Sequence, residues 1–215
     1  MNIKKLTYSI IFLSSLIWVG CEKEKETENI STITYFPTIE LKGNQWNTIK
    51  LGGSWTDPGA TANEGESALD VKVTGNVDVT KAGVYTITYS AVNKDGFTAS
   101  EYRYVGVIAP EVGGVDGVDI SGKYKRNAGA LGVSTVTRIS PNFYFSDNVG
   151  GIAVPDPSVG VYFYHYDTGL LGVPFQRTPG NAFECRNATI KEGEQYSWVV
   201  INSGYGAALR TFIKQ

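Results

Sequence analysis

Two hundred and fifteen residues fit one or two domains of ordinary size, and two small ones better than one large one. The composition is 42 % hydrophobic and 12 % aromatic, with 25 Gly, 13 Tyr and a single Met, so a packed core is possible while helix formers are thin and the chain reads as all-β. Basic residues number 19 against 21 acidic, and 17 against 21 once Lys4 and Lys5 are set aside with the leader, which leaves no basic stripe for a phosphate backbone and argues against nucleic acid as a partner.

The first element is an address. Met1 to Lys5 carries two positive charges, and Leu6 to Val19 is an uncharged, mostly apolar run of the length of a signal-peptide core, shorter than the roughly 20 residues that cross a bilayer. Val19-Gly20-Cys21 comes next. This resembles a bacterial lipoprotein signal, with Trp18 standing where such signals usually carry Leu; an uncleaved anchor helix is the alternative. The resemblance implies cleavage after residue 20, acylation of Cys21 and a stable membrane anchor through several acyl chains. Glu22 to Asn29 (EKEKETEN) has no apolar residue and reads as a solvated tether over residues 21–31. Acidic residues directly after the cysteine resemble the export signal of Bacteroidetes lipoproteins, which implies an outer-membrane protein lipid-anchored at the cell surface, although Glu alternates here with Lys.

Residues 32–108 alternate short apolar runs with turn signals at the spacing of a small β-sandwich. Strands are expected over Thr32 to Leu41, Trp46 to Leu51, Ala68 to Val73, Gly83 to Val92 and Phe97 to Val107. In GVYTITYSAV, residues 83–92, Tyr85, Ile87, Tyr89 and Ala91 share one face and Thr86, Thr88 and Ser90 the other, so one side is core and the other meets water. Asn93 to Gly96 supplies the reverse turn. The segments KLGGSWTDPGATA (50–62), VTGNV (73–77) and TKAGVYTITYS (80–90) together resemble the Ig-like module repeated in bacterial surface proteins. That resemblance implies a non-catalytic spacer that lifts the C-terminal domain off the membrane. Asp57-Pro58-Gly59 could hold a cation, but the tripeptide is first a turn former.

Residues 109–119 (APEVGGVDGVD) carry no strand pattern and read as a linker. Asp116 and Asp119 alone fall short of the six to eight oxygens that calcium takes. Residues 120–215 then read as seven or eight further strands, over Gly122 to Asn127, Ser134 to Ile139, Asn142 to Asp147, Val159 to Asp167, Leu171 to Gln176, Phe183 to Ile190, Tyr196 to Asn202 and Ala208 to Ile213. The expectation is an antiparallel meander, closed as a barrel or folded as a sandwich, without room for a large internal cavity.

The most informative run is Val161 to Asp167 (VYFYHYD). Tyr162, Tyr164 and Tyr166 fall on one face of a strand, Phe163 and His165 on the other, so both faces are aromatic. Either protein covers both faces, or the tyrosine face is a stacking platform or docking surface. Phe143, Tyr144 and Phe145 repeat the pattern, which makes Tyr144 a further candidate. The loops Asp147 to Asp156 and Asp167 to Pro174 flank this strand and are the first place to expect a ligand site.

Catalysis finds little support. A lone His165 cannot build a multi-imidazole metal site, two cysteines cannot build thiolate zinc or iron-sulfur centres, and neither G-x-S-x-G nor H-E-x-x-H occurs. A carboxylate pair such as Asp147 with Asp167 stays open for glycosidase chemistry, but nothing in the sequence selects it. Cys185, on the face of Phe183, reads as a buried small hydrophobe. No catalytic residue, metal or cofactor is expected. An Ig-like module joined to a β domain behind a lipoprotein signal resembles the accessory lipoproteins of Bacteroidetes nutrient-uptake loci. That resemblance implies partnership with a TonB-dependent transporter of the SusC type and its SusD-like lid, in capture of glycan or peptide. The alternative is a structural or adhesive surface protein with no ligand of its own.

Overall fold

The computed structural model describes residues 33–110, 118–129, 131–154 and 157–215. The leader, the tether with Cys21 and most of the expected linker lie outside the described residues. Tyr35 to Gln215 forms one compact unit.

The N-terminal half contains β1 (Pro37–Leu41), β2 (Trp46–Lys50), β3 (Ala60–Glu64), β4 (Ser67–Leu69), β5 (Lys72–Thr74), β6 (Gly83–Val92) and β7 (Thr98–Ile108). One sheet has the order β1-β3-β4 and the other β2-β7-β6-β5, with β2 parallel to β7 and every other pair antiparallel. The residues expected as one strand from Ala68 to Val73 fall instead on β4 and β5, in different sheets, with the chain crossing between them at Asp70 and Val71. Ile87, Tyr89 and Ala91 of β6 and Val105 and Val107 of β7 are buried, as alternation requires.

A charged residue also lies in this core. Arg103 of β7 is 0 % exposed. Its guanidinium binds Asp57 and the carbonyl of Lys42, donates to Tyr89 Oη at 2.6 Å and, through Nε, to Asn44 O at 3.1 Å. Asp57 Oδ1 also accepts from Gly59 N at 3.0 Å and from the Tyr89 hydroxyl. Burial raises the Asp57 carboxyl pKa, but the hydrogen bonds from Tyr89 and Gly59 and the Arg103 charge outweigh it and hold the pKa below the usual carboxylate value. The Asp-Pro-Gly segment is thus a turn whose acid neutralises a buried arginine.

The C-terminal half is an up-and-down meander of β8 (Gly122–Arg126), β9 (Val133–Ser140), β10 (Phe143–Ser146), β11 (Val161–Asp167), β12 (Leu170–Thr178), β13 (Asn181–Lys191), β14 (Gln195–Ile201) and β15 (Leu209–Lys214). Antiparallel pairing of β15 with β8 closes it into an eight-stranded barrel, so of the two architectures open to the sequence the chain adopts the barrel. Its inside is filled by side chains, including Tyr124, Tyr144, Phe163, Phe183, Tyr196, Trp198 and Phe212. Trp198 Nε1 donates to Val149 O at 2.7 Å, which satisfies the one polar atom of a fully buried indole. Cys185 is buried in this core, and burial pushes its thiol well above the ordinary range.

Candidate functional site

The outer face of the barrel at β10 and β11 packs on the outer face of the β2-β7-β6 sheet. On β7 the odd residues Arg103, Val105 and Val107 fill the sandwich, so Tyr102, Tyr104, Gly106 and Ile108 point the other way. Tyr104, Ile108, Phe143 and Tyr164 form a second buried cluster, with Trp46, Val84, Tyr102 and Tyr166 packed around it. Trp46 lies beside Tyr104 in register and stacks on it at 4.1 Å between ring centres, while Phe143 stacks on the indole at 5.4 Å. The chain leaving β7 is tied to β11 by Ala109 N donating to Tyr166 O at 2.8 Å. Two glycines permit this close approach. A Cβ on Gly106 would lie 2.5 Å from Tyr164 Cδ1, and one on Gly172 of β12 would lie 2.2 Å from Val84 Cγ2. An isolated glycine within a strand pattern is the sequence signal for such an approach, and both residues carry it.

Beside this packed seam the two halves diverge into an open cleft of about 440 Å³. Trp46 and Tyr102 line one side, Phe145 and Tyr162 the other, and Gln45, Glu101 and Arg177 supply polar groups. Tyr162 is 37 % exposed, with Phe145 at 4.9 Å and Trp46 at 5.3 Å. Arg177 donates from Nη1 to Ser100 O at 3.0 Å and lies 5.4 Å from the ring centre of Tyr102. Neither Arg177 nor Glu101 forms an ion pair among the described residues. The buried Gln176 side chain, by contrast, is occupied. It accepts from Tyr162 N and donates to Tyr162 O, both at 2.7 Å, beyond Tyr164–Gly172, where the β11–β12 ladder ends.

The expected tyrosine platform is only partly available. Tyr164, 0 % exposed, is covered by the sandwich, because the face that alternation assigns to it is the face on which the two halves pack. Tyr166 is half-buried against the same seam. Tyr144 points into the barrel, where its hydroxyl donates to Val118 O at 3.1 Å, since residues 143 and 145 take the outward face of β10. Tyr162 alone of the four opens into the cleft. Cys21 lies outside the described residues. The site also differs in place from the expected loops: residues 168–169 make a tight turn, β12 already begins at Leu170, and the cleft runs between strand faces.

Other candidates separate likewise. Asp147 lies just past the end of β10 and Asp167 ends β11, and because Ser146 pairs with Val161 the two acids stand at opposite ends of neighbouring strands. Six or seven residues at about 3.3 Å each put them roughly 20 Å apart, too far to flank one glycosidic bond. His165 is buried, with Nε2 3.2 Å from Glu192 Oε1 and Nδ1 without a hydrogen-bond partner among the described residues. Burial lowers its pKa, and the Glu192 charge only partly offsets this, so the ring is neutral at pH 7. Among the described residues no three His, Cys, Asp or Glu side chains gather as metal ligands.

No curated protein matches the chain. Among solved structures, a lipoprotein from Bacteroides thetaiotaomicron is 21 % identical, with 84 % of this chain and 100 % of that one covered and a TM-score of 0.37. The M60 catalytic domain with two CBM51 domains from Clostridium perfringens is 12 % identical, with 86 % of this chain but only 22 % of that one covered and a TM-score of 0.28. Residues 39–107, which hold β1 to β7 apart from the ends of β1 and β7, match the family described as the Ig-like domain of bacterial surface proteins, so the N-terminal sandwich is an Ig-like domain.

Proposed function

We propose that this chain is a non-catalytic, lipid-anchored cell-surface protein that captures glycan or peptide beside a TonB-dependent transporter of the SusC type and its SusD-like lid. The observation that carries the reading is the cleft, where an exposed tyrosine, further aromatic rings and two charged side chains without ion pairs among the described residues converge on a concave surface. The Val-Gly-Cys sequence at residues 19–21 and the hydrophilic run behind it support an anchor. The family that residues 39–107 match supports a surface location. The packing of Trp46, Tyr104, Phe143 and Tyr164 makes the sandwich a wall of the cleft as well as a spacer. The test is affinity purification of the tagged chain from detergent-solubilised outer membranes: a TonB-dependent transporter should copurify, and recovery without one refutes the association. The burial of Tyr144 and Tyr164 favours a second reading, a purely structural surface protein. Under it, Tyr162→Ala would leave every binding assay unchanged.

A further inference from the structure

We infer that the cleft takes a neutral glycan, one sugar ring stacked on Tyr162 and its hydroxyls shared between Glu101 and Arg177; this deepens the capture reading and rests on it. The rings of the cleft divide by availability. Trp46 is stacked on Tyr104 and Phe143, and the guanidinium of Arg177 lies over Tyr102, whereas Tyr162, which also stacks on Phe143 at 5.5 Å and has Phe145 beside it, keeps 37 % of its surface exposed to meet a ligand. A tyrosine face with a hydroxyl rim suits the apolar C–H face of a pyranose, with little entropy lost on immobilisation.

The polar groups point the same way. Glu101 only accepts, and Arg177 keeps the N–H groups not engaged by Ser100 as donors only. Every sugar hydroxyl both donates and accepts, so neighbouring hydroxyls can satisfy an acid and a guanidinium at once. One acid and one guanidinium, neither paired elsewhere among the described residues, also sum to no net charge. An extended peptide fits less well. Recognition of a main chain commonly uses an unpaired strand edge; β7 pairs with β2 only from Tyr104 on and β12 with β11 only as far as Gly172, but on the β7 edge the carbonyls of Ser100 and Tyr102 are already taken by Arg177 and Gln45. Where the β11–β12 ladder ends, Gln176 already holds the peptide groups of Tyr162.

The test is calorimetric titration of the full lipidated chain in detergent with neutral hexasaccharides of glucose, mannose, galactose and xylose, and in parallel with a tryptic peptide mixture of similar mass. At least one hexasaccharide should bind. Tyr162→Ala and Arg177→Ala should each weaken it by roughly tenfold or more, Tyr162→Phe should retain it, and all three variants should still unfold in one cooperative transition above the titration temperature. Peptide binding that depends on Tyr162, with no hexasaccharide binding, overturns the glycan assignment and leaves capture standing. Hexasaccharide binding indifferent to both alanine variants overturns the site, and an absence of binding to either class overturns the capture reading with it.

Discussion

Replacing Gly106 with Ala tests whether the seam between sandwich and barrel is as tight as the geometry requires. The added methyl would lie 2.5 Å from Cδ1, 2.8 Å from Cε1 and 3.0 Å from Cγ of Tyr164, where relaxed carbon contacts need about 3.5–4.0 Å. The ring has little room to retreat, being fully buried with Phe143 at 5.0 Å and Trp46 at 6.0 Å between centres. Overpacking of this kind costs about 1–3 kcal/mol, while Ala in place of Gly within a strand gains about 0.5–1 kcal/mol on its own. The net is a loss of up to roughly 2.5 kcal/mol, centred near ~1 kcal/mol, or a Tm lower by about 2–4 °C at that centre for a cooperative unit of this size. Scanning calorimetry of Gly106→Ala in the wild-type and Tyr164→Ala backgrounds reads the effect directly. The loss should vanish or change sign once the ring is gone, a coupling that neighbouring groups show and distant ones do not. An equal loss in both backgrounds, or a stabilised single variant, refutes the reasoning.

Asp57→Ala strands the buried Arg103 charge and should destabilise by about 3–5 kcal/mol in denaturant titration; a change under about 1 kcal/mol would mean that the network carries no weight. Because the folded Asp57 pKa is depressed, its stabilisation is present above the unfolded value of 3.8 and is lost as pH falls through the lower folded value, so Asp57→Asn should flatten the wild-type decline in stability below about pH 4. His165 is a base with a depressed folded pKa, so below 6.5 the unfolded chain takes up a proton that the folded chain refuses and stability falls with acid. His165→Gln should remove up to about 1.4 kcal/mol per pH unit of slope just below about pH 6.5, and an unchanged slope would contradict a neutral buried ring.

The sequence shows its strands where alternation and turns agree. All eight strands of the barrel lie within about three residues of the runs expected for them, because all but β15 have Gly, Pro, Asn or Asp at one end or both. Closure of β15 onto β8 is not legible, since register between strands far apart in sequence leaves no local trace. β3 escapes the strand pattern because Ala-Thr-Ala-Asn-Glu is poor in the β-branched and aromatic residues that mark a strand. Alternation places the tyrosine stripe of β11 on one face correctly, but periodicity cannot say what covers a face, and here the sandwich covers Tyr164 and leaves Tyr162. The signal available for that contact is the pair of strand glycines, Gly106 and Gly172, whose missing side chains make room for the other half.

Location and partners rest on the anchor, so the mass of the N-terminal peptide from protein extracted out of the membrane is the most direct test. The account predicts a chain beginning at Cys21 and carrying diacylglyceryl and acyl groups on that residue. A peptide that retains Met1, or an unmodified Cys21 thiol, contradicts it.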